Sequence, residues 1–89
     1  MGKIKGWNNI RIAHQPNPKS VSWVEYVWIN KIDYITIEIT KLNLVHHYGK
    51  YKVYIYSPVG RIEPITEIKR TKKQAKDFAM KYMRGHPNG

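Results

Sequence analysis

The sequence predicts a small α+β protein, an antiparallel β-sheet of three to five strands packed against a single C-terminal α-helix. Two stretches, residues 33–41 and 50–57, alternate apolar and polar side chains at the two-residue period of a half-buried strand. Near the C-terminus Ala75, Phe78, Ala79, Tyr82 and Met83 recur at the spacing of one helix face. The 89 residues leave room for one modest core and none for a second domain.

Residues 1–18 form an N-terminal arm. Met1–Gly6, with two lysines and two glycines, is expected to fray, while residues 8–13 alternate well enough for a short strand. Gln15-Pro16-Asn17-Pro18 ends the arm, because each proline holds the residue before it in extended geometry. Residues 19–69 are expected to be mainly β-sheet, but Val21–Asn30 supports two readings. Its Val, Trp, Tyr and Ile content favours a strand, whereas Ser22 with Glu25 fits a capping box, and Val21, Val24 and Trp28 share a helical face. A strand gives a meander of four or five strands closed by one helix. A helix gives α-β-β-β-α, and either body has two layers.

Within residues 33–41, Ile35, Ile37 and Ile39 fall on the face that enters the core, opposite Tyr34, Thr36, Glu38 and Thr40. Within residues 50–57, Tyr51, Val53 and Ile55 oppose Lys52, Tyr54 and Tyr56. Ser57-Pro58-Val59-Gly60 then supplies a turn with proline at its second position, so a hairpin follows, its second arm running from Arg61 to about Lys69. Pro64 cannot donate a ladder hydrogen bond, which places that arm at a sheet edge or gives it a bulge, and the edge is the favoured reading. Thr71 and Gln74 form a capping-box pattern, and Gly85 and Pro87 are stop signals. Together they bound a helix over residues 71–84 with Thr71 as its cap.

Sixteen Lys and Arg against six Asp and Glu give a net charge of +10, a surface that repels itself unless a polyanion neutralises it. The absence of cysteine excludes a disulfide framework and a cysteine-ligated zinc site. The most apolar segment, Val21–Ile29, is short and carries Glu25, so a soluble cytoplasmic protein with no membrane partner is expected. His46 and His47 fall in a loop between strands. Adjacent histidines rarely converge on one ion and no acidic cluster accompanies them, so no metal is assigned there, nor to His14 or His86. The six acids are scattered, and no nucleophile sits at useful spacing from a base. The chain reads as a binding protein without cofactor, not an enzyme.

The positive charge is concentrated. Lys69, Arg70, Lys72, Lys73, Lys76, Lys81 and Arg84 against Asp77 alone place seven positive charges and one negative within residues 69–84, which is +6 of the +10. Lys72 and Lys73 occupy the first helical turn, where the macrodipole is already positive and each cation costs about 0.3–1 kcal/mol at low ionic strength. Local stability favours acids at those positions. With the unpaired backbone N–H groups of that turn, the two lysines suit a phosphate, and Lys69, Arg70 and Lys76 extend the site along a nucleic-acid backbone. The competing reading is a solvated face of good helix formers. A second candidate is Lys52, Tyr54 and Tyr56, which combine a cation with rings as single-strand platforms do, or which simply pack across strands. Trp7, Trp23 and Trp28 read as core or cover.

The run Thr71-Lys72-Lys73-Gln74-Ala75-Lys76, opening a helix just after a β-hairpin, resembles the start of the last helix of double-stranded-RNA-binding domains. That resemblance implies that Lys72, Lys73 and Lys76 grip phosphates, and with Val21–Asn30 helical the element order would match as well. A sheet followed by a Thr-Lys-Lys-x-Ala helix is also similar to arm-type DNA-binding domains of integrases. The expected function is a small basic protein that binds nucleic acid, RNA or DNA, with little sequence specificity. The alternative is a protein-interaction or homodimerisation module, since 42% apolar content with three tryptophans is hard to bury in so short a chain.

Overall fold

The computed structural model describes residues 4–10, 22–42 and 49–87. Five strands and one helix follow in order: β1 (Trp7–Ile10), β2 (Ser22–Asn30), β3 (Thr36–Leu42), β4 (Tyr51–Tyr56), β5 (Ile65–Lys69) and α1 (Lys72–Gly85). Each strand pairs antiparallel with the next, so the sheet order is the chain order. The helix runs back across β3, β4 and β5, completing a two-layer α+β fold. Among the described residues no helix is long and apolar enough to cross a membrane.

Strand alternation builds the core. β3 sends Ile37 and Ile39, and β4 sends Tyr51, Val53 and Ile55, to the face on which Ala75, Ala79 and Met83 close. Burying an Ile- or Val-sized side chain contributes about 1.5–3 kcal/mol. The two alanines let the helix backbone lie close to the sheet, while Phe78, Met80 and Tyr82 pack around the rim. Trp7 and Trp28 join this cluster from β1 and β2, in keeping with a core role. The side chain of Trp23 lies outside the described residues.

Several boundaries differ from expectation, each for a local reason. Val21–Asn30 is a strand over Ser22–Asn30, so the helical reading and the α-β-β-β-α order are overturned. Val24 pairs with Thr40 and Tyr26 with Ile39, which leaves Glu25 as the extra residue of a β-bulge. The bulge shifts the alternation by one position and imitates helical spacing. The third strand begins at Thr36, not residue 33, because Asn30 organises a turn there: its Oδ1 accepts from the N–H groups of Ile32 (2.8 Å) and Asp33 (3.0 Å), and Tyr34 takes φ 58°. β5 starts at Ile65, just after Pro64, and forms a sheet edge. The Ser57–Gly60 turn is closed by Gly60 N–H on the Ser57 carbonyl at 3.1 Å. The helix begins at Lys72 and runs one residue past its expected end, to Gly85. β1 ends at Ile10, and the remainder of the expected 8–13 strand, the Gln15–Pro18 break, His14, His46 and His47 lie outside the described residues.

The end of the chain is tied to the first two strands. Trp7 Nε1 donates to the His86 carbonyl at 2.9 Å, and Asn30 Nδ2 donates to the Pro87 carbonyl at 3.1 Å. Gly6, at φ 84°, faces Pro87 so closely that a Cβ there would stand 2.0 Å from its carbonyl oxygen. These contacts seat the C-terminal end of α1 over β1 and β2, and its N-terminal end therefore lies at the opposite end of the sheet.

Candidate nucleic-acid interface

The interface starts from the entry into α1. Thr71 Oγ1 accepts from Gln74 N–H at 3.1 Å, as the capping pattern requires. Gln74 Oε1 accepts from the N–H of Arg70 (3.2 Å), one residue before the cap. Both contacts order the Arg70–Thr71 link between strand and helix. The first turn carries no acid, so Lys72 and Lys73 stand at the positive end of the helix without a compensating carboxylate in that turn.

The cations of this region fall into two groups. Lys72 Nζ lies 3.1 Å from Glu25 Oε2, reaching from the helix to the bulge of β2, and that carboxylate pushes the Lys72 ammonium above its ordinary range. Lys69 Nζ lies 3.5 Å from Glu67 on its own strand and 4.8 Å from the ring centre of Phe78. Arg70, Lys73, Lys76, Lys81 and Arg84 have no acidic partner among the described residues. Lys76 rests over the Tyr26 ring at 4.9 Å, a cation–π contact that fixes its position and leaves its charge unneutralised. Lys72, Lys73, Lys76, Asp77 and Met80 line a shallow open groove of about 490 Å³ along this shoulder of the helix.

Lys72, Lys73 and Lys76 therefore share one shoulder of the helix, whereas Lys69 lines a second shallow groove with Gln74, Asp77, Phe78 and Lys81, and Arg70 lies in the link between β5 and α1. Lys52, Tyr54 and Tyr56 belong to none of these. They lie on the sheet face opposite the helix, because their neighbours Tyr51, Val53 and Ile55 point into the core. There the Tyr54 and Tyr56 rings stack on each other at 5.0 Å, Lys52 Nζ sits 5.6 Å from the Tyr54 ring centre, and Tyr56 donates to Glu38 at 2.9 Å. Burial first, and the Glu38 carboxylate second, hold the Tyr56 hydroxyl above the usual tyrosine range. The Lys52–Tyr54 and Tyr54–Tyr56 contacts run along β4 itself, and the Tyr56–Glu38 hydrogen bond ties that row to β3.

Sequence reasoning did not anticipate Glu25, Tyr26 or Phe78 as parts of this surface. Glu25 reaches Lys72 only because the bulge re-aims it, and strict alternation contains no signal of a bulge. Comparison of the chain with protein-family models, with curated proteins and with solved structures finds no match.

Proposed function

We propose that the protein binds nucleic acid through the α1 surface, gripping the phosphate backbone with little dependence on base sequence. The observation that carries this reading is the surplus of charge in one ordered segment: +6 within residues 69–84, with five of its seven cations lacking an acidic partner among the described residues. Stability alone does not favour that arrangement, since lysines at a helix start oppose the macrodipole. Phosphates would reverse the penalty by meeting both the cations and the unpaired N–H groups of the first turn.

Arg70, Lys73 and Lys76 are the primary contacts. Lys69 and Lys72 sit at the rim, where a phosphate competes with Glu67 and Glu25. Three primary contacts give a log–log salt slope of about 2.7 on duplex DNA, and all five give about 4.5. The test is a fluorescence titration against duplex RNA, duplex DNA and single strands of equal length, at about 50 and about 200 mM salt. Binding that persists at the higher salt and favours one polymer supports the reading and names its class. Weak, indiscriminate binding that vanishes at the higher salt overturns it.

A further inference from the structure

β5 closes one side of the sheet, and four of its five residues are exposed, including Ile65 at 36% and Ile68 at 41%. The ladder fixes which of its backbone groups face outward. Asn30 N–H donates to the Ile35 carbonyl and Leu42 N–H to the Lys50 carbonyl, so both Asn30–Ile35 and Leu42–Lys50 are bonded pairs. In an antiparallel ladder bonded and non-bonded pairs alternate. Thr36, Glu38 and Thr40 thus bond to Tyr56, Tyr54 and Lys52, which leaves Tyr51, Val53 and Ile55 to bond to Lys69, Glu67 and Ile65. Thr66 and Ile68 turn their N–H and C=O groups away from the sheet; Arg70 and Pro64 are next in the same phase, but the Arg70 N–H already donates to Gln74 Oε1 at 3.2 Å, so Arg70 offers its carbonyl alone.

We propose that this edge pairs with the same edge of a second copy of the chain, antiparallel and centred on Ile68, to make a closed two-fold dimer. In that register Ile68 bonds to Ile68 of the second copy and Thr66 faces Arg70. On the helix side Glu67 faces Lys69 of the second copy, twice by symmetry. Within one chain these two side chains already lie 3.5 Å apart, so the pairing joins four charges in an alternating ladder. The neighbouring registers are worse. Centring on Thr66 sets Glu67 against Ile65 of the second copy and loses the Glu67–Lys69 match, and centring on Glu67 sets two carboxylates face to face. The link Arg70–Thr71 leads directly into α1, so pairing stops there, and a two-fold contact of this kind closes on itself without forming filaments. It also brings two lysine-rich helix starts to one continuous surface. The inference stands without the nucleic-acid reading, and its test uses none.

Sedimentation velocity of the full chain, from low to high micromolar at about 0.15 M salt, screens the +10 repulsion beyond about 8 Å while sparing contacts across the edge. A reversible monomer–dimer equilibrium is expected. Glu67→Lys and Lys69→Glu, each reversing two cross-strand pairs, should each weaken it by about tenfold. The double variant Glu67→Lys/Lys69→Glu should restore it, and Ile68→Lys, which places two ammonium groups at the axis, should abolish it. Circular dichroism on each variant confirms the fold. A strict monomer overturns the proposal and leaves the edge to a foreign strand. A dimer indifferent to the single reversals, or a double variant that fails to recover, also overturns it, since the contact then lies elsewhere or in another register.

Discussion

Replacing Asn30 by alanine should be among the most damaging single changes in this fold. Asn30 is fully buried at the end of β2, and its amide makes three hydrogen bonds: two accepted from the turn N–H groups of Ile32 and Asp33 and one donated to the Pro87 carbonyl. An orphaned buried polar group costs about 1–3 kcal/mol. The two turn groups lie near solvent and recover part of that in water, so the total falls at about 2–4 kcal/mol. Against a whole-domain stability of about 5–15 kcal/mol, and at about 4–8 °C per kcal/mol for a domain of this size, Tm should fall by about 8 °C or more. Urea unfolding followed by tryptophan fluorescence reads the loss, since Trp7 and Trp28 are buried beside this site. Asn30→Asp is the sharper control. It keeps both accepted bonds but turns a carboxylate oxygen toward the Pro87 carbonyl. Burial raises the pKa of that acid in the folded state, so stability should recover as pH falls and the carboxyl becomes a donor. A loss under about 1 kcal/mol for the alanine variant, or no pH dependence for the aspartate, would refute the reasoning.

Gly6→Ala should cost several-fold more stability than Gly60→Ala. Both glycines have φ above 70°, but only at Gly6 does the new Cβ meet a backbone oxygen, at 2.0 Å, and equal losses by urea midpoint would contradict that contact. Alkaline stability follows from three groups whose folded-state pKa values are raised: Tyr56 and Tyr82, each mainly by burial, and Lys72 by Glu25. The folded chain then holds protons that the unfolded chain has released, so stability is level below about pH 10 and falls as pH rises beyond it. Tyr56→Phe should shallow that fall, and a profile that rises with pH would have the sign wrong. Glu25→Gln removes a partner from Lys72 worth about 0.2–1 kcal/mol to the fold, as exposed pairs are, and should tighten polyanion binding. Weaker binding would mean that Lys72 depends on Glu25 for its position.

The fold was legible where periodicity was clean. Ile35, Ile37 and Ile39, the Tyr51–Ile55 alternation, and the Ala75, Ala79, Met83 stripe all occupy the core positions that their spacing indicates. Legibility failed where a single residue breaks the period. Glu25 in its bulge gave β2 a helical reading as well, and the turn with left-handed Tyr34 took three residues from the start of β3. Long-range polar ties, such as Trp7 to His86 and Asn30 to Pro87, leave no trace in local pattern because they join residues 79 and 57 positions apart. For the candidate surface the sequence supplied the cations but not their neutralisation. Glu25 is distant in the chain from Lys72, and the opposed placement of Lys52, Tyr54 and Tyr56 becomes clear only once the sheet is assembled.

The nucleic-acid reading is tested most directly by separating position from net charge. Lys73→Ala/Lys76→Ala and Lys5→Ala/Lys31→Ala each remove two positive charges, the first pair from the α1 groove and the second from exposed positions at the other end of the fold. On duplex DNA the α1 pair should lower the salt slope by about 1.8 while the distant pair leaves it unchanged. Equal reductions would mean that the chain binds by bulk charge alone, and no reduction from the α1 pair would remove that surface from the interface.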